Sequence, residues 1–187
     1  MRHFRRLMIF AILIAQAYWV SAQANKDEKK KSSNQIQWYS FEKVYELNKK
    51  KPKKTVVDVY TDWCGWCKKM DAETFMDPVI TEYMKKYFYC VKMNAEMKDT
   101  IIIDGTTFIN PGRNGKRQTH QLANELLRGS MSYPSYVFLN ENGQRLTVVQ
   151  GYQPAKEFEA VLHYFGDDAY LKNSWAEFQS GFKGKIK

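Results

Sequence analysis

The 187-residue chain is poor in the side chains that hold metal ions, with three cysteines and three histidines in all. Cys64 and Cys67 form a C-x-x-C pair, which also occurs as half of a four-cysteine zinc site. Zinc needs four nitrogen or sulfur ligands, and the other candidates beyond the apolar N-terminal segment are Cys90, His120 and His163. Because these three are not paired at metal-ligand spacing, the sequence argues against a zinc site, and we expect no metal.

The chain also lacks an apolar run long enough to span a membrane. Residues 7–20 are apolar, but a run of about 14 residues is shorter than the roughly 20 that a spanning helix needs. Three arginines precede the run and small residues follow it at 21–24, which is typical of a secretory signal peptide; a retained anchor is the alternative. We therefore expect residues 1–24 to be a signal peptide cleaved after Ala22 or Ala24, and the mature protein to be periplasmic. No cysteine lies near this cleavage site, so a lipid anchor is not expected.

Acidic residues are fewer than basic ones, 20 against 29, which gives a formal net charge of +9. The lysines concentrate at residues 26–31, 49–54 and 183–187. Nucleic-acid binding would need basic residues interleaved with stacking aromatic residues or a groove-reading helix, and neither pattern occurs in the chain. The three runs are therefore expected to be solvated, and no nucleic-acid partner is expected.

The most informative segment that is present is a strand pattern at residues 55–60, followed by a sharp turn and a helix whose first turn carries Cys64 and Cys67. Unpaired backbone N–H groups and the helix dipole at such a terminus favour a thiolate, so Cys64 is predicted to be exposed and partly ionised. Cys67 can close a small disulfide with it and displace a bound partner. The pattern predicts a redox dithiol rather than an inert disulfide, because so short a loop would constrain little of the chain.

The rest of the chain predicts a single domain of alternating strands and helices. Hydrophobic spacing and capping residues indicate, in order, a strand at 36–39, a helix capped by Ser40, the strand at 55–60, the dithiol helix, a helix at 78–87 capped by Asp77, a strand at 88–93, a hairpin at 101–109, a helix capped by Thr119 and ending at 128–129, paired strands at 135–139 and 145–149, and a helix at 154–165. Residues 25–35 form a polar linker, and residues 166–187 form an appended helix and a basic tail. The early strand-helix-strand order implies parallel pairing in a sheet covered on both faces.

Two motifs resemble one known family. The segment from Asp58 to Lys68, with the sequence DVYTDWCGWCK, resembles the active-site strand and turn of thioredoxins. Its continuation is similar to the C-terminal periplasmic domain of the membrane thiol:disulfide interchange protein and its soluble relatives, and the segment at 133–139, YPSYVFL, resembles the family's cis-proline strand. The resemblance covers residues 36–165 and implies an α/β thioredoxin fold: a central mixed sheet flanked by helices, with an insertion at about 96–128 before the cis-proline strand.

The resemblance implies roles for individual residues. Cys64 takes the position of the attacking cysteine and Cys67 that of the resolving cysteine. Asp58 falls where thioredoxins bury an acid behind the second sulfur, and we expect it to be unpaired, hard to ionise and able to accept the proton that Cys67 loses. The alternative is a strand-end aspartate with its own hydrogen bonds. These three residues are the predicted catalytic residues, and the two cysteines are the predicted redox disulfide.

The same resemblance implies a cis peptide bond before Pro134, in a loop that faces the dithiol. Backbone groups of Tyr133 would there hold an incoming peptide as a short added strand, with plain core packing as the alternative role of this residue. Together with Trp63, Gly65 and Trp66, these two residues are the predicted substrate contacts. Trp66 departs from the proline or histidine that is common at its position in the family.

Two features fall outside these motifs. Cys90 lies in an apolar strand pattern and is predicted to be a buried, inert thiol rather than a third redox group. His120 and the basic residues Arg113, Lys116 and Arg117 belong to the insertion, which we expect to be either a solvated loop or a lid or docking surface beside the dithiol.

The sequence as a whole predicts an exported thiol:disulfide oxidoreductase that uses no cofactor beyond its own sulfurs and works as a monomer. The likeness to an electron-delivering domain and the buried acid at Asp58 favour a reductase over an oxidant. The expected partners are exported client proteins that contain cysteine and an upstream membrane thiol that donates electrons. The alternative from another class is a non-catalytic thioredoxin-like module that binds reduced cysteine-containing clients without turnover.

Overall fold

The computed structural model describes Gln23 and residues 35–112 and 118–187. Gln23 is thus the one described residue of the predicted signal peptide, and Gln35 is the one described residue of the predicted linker. The basic residues of the insertion at 113–117 lie outside the described residues.

The described chain contains seven strands and six α-helices, with two short 3₁₀ turns at Thr74–Met76 and Ala169–Leu171. The elements run in the order β1 (Trp38–Tyr39), α1 (Phe41–Lys50), β2 (Lys54–Tyr60), α2 (Gly65–Ala72), α3 (Pro78–Tyr87), β3 (Phe88–Asn94), β4 (Ile101–Ile103), β5 (Thr106–Phe108), α4 (Gln121–Leu127), β6 (Ser135–Leu139), β7 (Arg145–Gln150), α5 (Ala155–Gly166) and α6 (Trp175–Gly181). Over these described residues, none of the helices combines the length and the apolar character that crossing a membrane requires.

A five-stranded sheet in the order β1-β3-β2-β6-β7 forms the centre of the domain. β3 pairs in parallel with β1 and β2, whereas β6 pairs antiparallel with both β2 and β7. On the central strand β2, the side chains of Val56, Val57 and Val59 are fully buried. Because successive side chains point to opposite faces, Val56 packs in one hydrophobic cluster and the other two valines pack in a second one. The predicted central mixed sheet flanked by helices is thus confirmed.

Local sequence signals account for several element boundaries. The Ser40 hydroxyl caps α1 by accepting a backbone N–H of its first turn at 3.2 Å, and the Asp77 carboxylate caps α3 in the same way at 2.8 Å. Asp104 and Gly105 both have positive φ angles, 50° and 74°, which a tight turn between β4 and β5 requires. These two predicted caps and the predicted hairpin turn are confirmed.

One predicted cap is wrong. α4 is capped by His120 rather than Thr119: the imidazole Nδ1 accepts the N–H of Leu122 at 3.2 Å, which leaves Nε2 to donate to the Asp99 carbonyl oxygen at 3.1 Å. His120 is fully buried, and its backbone N–H donates to the Ala95 carbonyl oxygen at 2.7 Å. An imidazole can fill a buried site while one nitrogen caps the helix and the other meets a carbonyl, which the shorter threonine cannot do. The insertion is therefore packed at this point and is not a solvated loop there.

The C-terminal extension folds back onto α5. After α6 the chain returns so that the buried Glu159 carboxylate accepts the backbone N–H groups of Lys185 at 2.7 Å and Ile186 at 3.0 Å. Ile186 packs against a hydrophobic cluster of the core, and a side chain at Gly184 would collide with the Glu159 carboxylate. The predicted basic tail thus keeps its lysine side chains in solvent while its backbone is held to the domain.

Candidate active site

Cys64 and Cys67 are joined by a disulfide bond at the start of α2, with 5.3 Å between their Cα atoms. The turn after β2 sets this geometry, because the Cys64 N–H donates to the Thr61 carbonyl oxygen at 3.1 Å and Cys64 then becomes the N-cap of α2. Its sulfur accepts the N–H of Cys67 at 3.1 Å, in the place that a side-chain oxygen takes in an ordinary N-cap. The dithiol that the sequence places at a helix start is present there in its oxidised form.

Both cysteines are buried in this oxidised form, with 5 % of Cys64 and 3 % of Cys67 exposed. The prediction that Cys64 is exposed is wrong for the disulfide state, because its sulfur is directed at Cys67 and at a helix N–H. The neighbouring tryptophans are exposed instead, Trp63 by 52 % and Trp66 by 58 %. Large exposed aromatic rings beside a buried disulfide are typical of a surface that meets another protein.

Trp63 is held by contacts to two other parts of the chain. Its indole Nε1 donates to Glu96 Oε1 at 3.1 Å, and its ring meets Tyr133 edge-to-face with 6.0 Å between the ring centroids. Tyr133 is half-buried and precedes Pro134 through the cis peptide bond that the sequence predicts. Pro134 is buried, and its carbonyl oxygen accepts the N–H of Gly151 at 2.8 Å. The structure therefore brings the cis-proline loop against the residue that precedes the first cysteine.

Trp66 has partners of its own. Its ring packs against Tyr152 with 5.6 Å between the centroids, and the Tyr152 hydroxyl donates to Glu73 Oε2 at 2.5 Å. The ammonium of Lys69 lies 4.9 Å from the Tyr152 ring centroid. A Cβ added to Gly65 would meet no atom within 4 Å, so the surface above the turn is open between the two tryptophans.

Asp58 on β2 is 2 % exposed. Its Oδ2 accepts a hydrogen bond from Lys92 Nζ at 2.9 Å, whereas Oδ1 has no hydrogen-bond partner among the described residues. Burial raises the pKa of Asp58 to about 6, and the attraction of Lys92 offsets only part of this effect. The buried acid is hard to ionise, as the sequence predicts. The expectation that it is unpaired is wrong, because the register of β2 and β3 places Lys92 directly opposite.

Sequence reasoning missed several residues of this site. Lys92 also forms an ion pair with Asp71 on α2. A lysine inside the apolar pattern of β3 was a signal that could have found it, because a charged side chain in a buried strand needs a partner. Tyr152 and Glu96 carried no such signal, since they lie in connecting segments and reach the site only through tertiary packing.

The other sulfur and imidazole groups that the structure describes have structural surroundings. Cys90 is buried, and burial raises the pKa of its thiol to about 12, so it is the inert thiol that the sequence predicts. His120 is a helix cap. His163 packs on Tyr83 with 4.0 Å between the ring centroids and 41° between the ring planes, and it bonds to the Asp167 carboxylate at 2.6 Å. Within the described part of the chain, no three side chains of the metal-ligating types come together.

Comparison with known proteins adds the following findings. A family model described as a thioredoxin-like domain matches residues 41–166. The thiol:disulfide interchange protein DsbD of Actinobacillus pleuropneumoniae serotype 5b is 24 % identical over 163 residues, which cover 82 % of this chain and 24 % of that protein. The chain thus spans about a quarter of the length of the first curated relatives that it matches.

Two solved structures share the architecture. A DsbH oxidoreductase superposes with a TM-score of 0.51 at 16 % identity, covering 71 % of this chain and 85 % of the other. A thioredoxin from Thermus thermophilus superposes with a TM-score of 0.51 at 15 % identity, covering 79 % of this chain and 97 % of the other. At these identities the likeness establishes the fold alone.

Proposed function

Because the chain belongs to the thioredoxin-like domain family, we propose that it is a thiol:disulfide oxidoreductase that acts through Cys64 and Cys67. The observation that carries the proposal is the disulfide between these residues at the N-terminus of α2, flanked by exposed aromatic rings. A disulfide that joins residues only three apart constrains little of the unfolded chain, so stapling does not account for its position. The curated relatives, which are named thiol:disulfide interchange proteins, support the same chemistry.

In the reduced protein, the Cys64 thiolate attacks one sulfur of a client disulfide. A bond forms between Cys64 and that sulfur, the client disulfide breaks, and the second client sulfur leaves with the electron pair. The N–H of Cys67, which lies 3.1 Å from Cys64 Sγ in the oxidised form, and the positive end of α2 support the thiolate before the attack.

Resolution uses the second cysteine and the buried acid. Cys67 passes its proton to Asp58, and its thiolate attacks Cys64 Sγ. The Cys64–Cys67 bond forms, the mixed disulfide breaks, and the client sulfur leaves with the electron pair, so that two electrons have moved from the dithiol to the client. With a pKa of about 6, Asp58 is mostly ionised at neutral pH and yet a stronger base than an ordinary aspartate.

The client chain is proposed to lie across the open face of the turn. Backbone groups of Tyr133, beside the buried Pro134, would hold it as a short added strand, and the rings of Trp63 and Trp66 would pack on it from the dithiol side. The missing side chain at Gly65 leaves room for the client backbone to approach the disulfide.

We further propose that the chain is exported to the periplasm by residues 1–24 and works there as a monomeric reductase of cysteine-containing clients. A membrane thiol would return the electrons that each turnover consumes. The buried Asp58 supports this direction, because at neutral pH it is mostly ionised and a carboxylate near the sulfurs opposes the thiolate that a strong oxidant must stabilise. Equilibration with glutathione gives the potential: a value near about −270 mV fits a reductase, whereas one near about −120 mV would make the protein a disulfide donor.

Insulin reduction by dithiothreitol tests the activity itself. We expect the wild-type protein to accelerate precipitation of the insulin B chain, and a double variant, Cys64→Ser with Cys67→Ser, to leave the rate at that of dithiothreitol alone. The exposed rings of Trp63 and Trp66 also suit a module that holds reduced clients without turnover. No acceleration by the wild type, together with binding of a reduced client peptide, would favour that second function.

A further inference from the structure

Lys92 links the buried acid to the dithiol helix. Its Nζ lies 2.9 Å from Asp58 Oδ2 and forms a second ion pair with Asp71 Oδ1. Asp58 is buried on β2, whereas the side chain of Asp71 on α2 is 42 % exposed. One ammonium is therefore shared between a buried carboxylate and a partly exposed one.

Asp71 lies on the same face of α2 as Cys67, because residues four apart in a helix are neighbours. The Lys92 ammonium also lies over the rings of Trp38 and Tyr60, whose centroids are both 5.0 Å from Nζ. The same cation thus contacts the face of the helix that carries the resolving cysteine and the acid that we propose as its proton acceptor.

We propose that Asp71 is a positioning residue of the dithiol site, which shares the positive charge of Lys92 with Asp58 and so keeps Asp58 able to accept the proton of Cys67. The proposal rests on the redox function proposed above. In this proposal Asp71 acts through its ion pair with Lys92.

The charges that face Asp58 decide how the loss of Asp71 would change the pKa of Asp58. Lys92 on β3 favours the ionised form of Asp58, and Asp71 on α2 disfavours it. Two phenols also face the acid, those of Tyr60 on β2 and Tyr136 on β6; burial raises their pKa values, so both stay neutral. Burial also lowers the pKa of Lys92, but the two carboxylates outweigh that effect and the ammonium stays charged. Without Asp71, Lys92 would form an ion pair with Asp58 alone, and the pKa of Asp58 would fall.

A weaker base accepts a proton more slowly. In resolution, Cys67 gives its proton to Asp58 and its thiolate bonds to Cys64 Sγ, while the mixed disulfide breaks and the client sulfur leaves with the electron pair. At a pH where Asp58 is ionised in both proteins, we expect loss of the Asp71 carboxylate to slow this step about threefold.

Titration of the Asp58 carboxyl carbon by ¹³C NMR in the oxidised protein tests the electrostatic claim without any client. We expect a midpoint near pH 6 in the wild type and a midpoint lower by about one pH unit in Asp71→Asn. Asp71→Glu, which keeps the charge, should restore much of the shift, and Glu82→Gln, which removes an exposed charge on α3, should leave the midpoint in place. An unchanged or higher midpoint in Asp71→Asn overturns the proposal; Asp71→Ser supplies the same test if the asparagine variant does not fold.

The second readout is the pH dependence of resolution, measured by stopped-flow on a mixed disulfide preformed at Cys64. A slower limiting rate and a profile shifted to lower pH in Asp71→Asn support the positioning role, and superimposable profiles overturn it. If the wild type exchanges no disulfide at all, the redox function fails, and the titration alone still decides whether Asp71 tunes Asp58.

Discussion

Two buried carboxylates of this protein have opposite surroundings. Asp58, on the central strand β2, has one oxygen on a lysine that it shares with Asp71 of the dithiol helix and one oxygen without a hydrogen-bond partner among the described residues. Glu159, beneath the C-terminal tail, has both oxygens bonded to backbone N–H groups, those of Lys185 and Ile186. Both side chains are almost completely shielded from solvent.

From this difference we infer that the hydrogen-bond partners of a buried carboxylate, and not its burial alone, set its role. A carboxylate whose two oxygens both accept backbone N–H groups has its hydrogen-bonding capacity met by the protein, and it fixes the chain segment that donates them. We call this contact of Glu159 with Lys185 and Ile186 the latch. A carboxylate with an unsatisfied oxygen and a shared cation can gain or lose a proton at modest cost. We therefore propose a chemical role for the Asp58 region and a stabilising role for the Glu159 region.

The largest effect that we expect concerns the sulfurs of the first region. Cys67→Ala should attack clients but fail to release them, so that mixed disulfides accumulate, whereas Cys64→Ala should lower exchange by at least about a thousandfold. Non-reducing electrophoresis after expression detects the adducts. Glu159→Gln is the control from the other region and should exchange at the wild-type rate. Adducts on Cys64→Ala but not on Cys67→Ala would reverse the two roles.

The next effect concerns the latch. Glu159→Ala should lower the free energy of unfolding by about 4 kcal/mol, because two charge-assisted hydrogen bonds are lost and the tail is released. Gly184→Ala should also destabilise, since its new methyl group meets the same carboxylate, and the exposed Lys187→Ala serves as the neutral control. Urea denaturation measures all three. A urea midpoint for Glu159→Ala equal to that of the wild type would mean that the tail contributes nothing to the free energy of unfolding and that Glu159 has no stabilising role.

A smaller effect is expected from the pH dependence of stability. The folded-state pKa of Asp58, about 6, is raised above its ordinary value of 3.8, so folding favours the protonated acid. Its contribution is fully present below about pH 4 and is lost as the pH rises through 6. Asp58→Asn should therefore match the wild type near pH 4 and exceed it by about 3 kcal/mol at pH 8, while resolving mixed disulfides more slowly. Equal stability at pH 8 would show that Lys92 fully compensates the buried charge.

The smallest effect is expected at the client surface. Trp66→Ala should raise KM for a client disulfide about fivefold with little change in kcat, because the exposed ring is proposed to bind the client and takes no part in electron transfer. Leu171→Ala, which removes an exposed apolar side chain in the C-terminal extension, should leave both constants unchanged. Steady-state kinetics with a fluorescent disulfide peptide separates the two constants. Equal KM values in Trp66→Ala and the wild type would take Trp66 out of the client surface.

Features that depend on residues close together in the chain could be predicted. The disulfide needs only two cysteines at helical spacing, Ser40 and Asp77 cap the helices that follow them, and the Asp104-Gly105 turn carries its own conformational preference. Each of these signals acts within about one helical turn, where the sequence alone specifies the geometry.

Features that join distant parts of the chain were decided by the tertiary structure. Strand register sets Lys92 opposite Asp58, and the approach of α2 then makes that lysine a shared cation. Packing buries His120 and makes it the N-cap of α4, a role that Thr119 was expected to fill. Packing also covers Glu159 with a C-terminal tail that the composition predicts to be solvated. By itself the sequence determined the dithiol and the order of the elements. The partners of the buried charges depended on which strands and helices meet, because an ion pair or a latch exists only once its two ends are brought within hydrogen-bond distance.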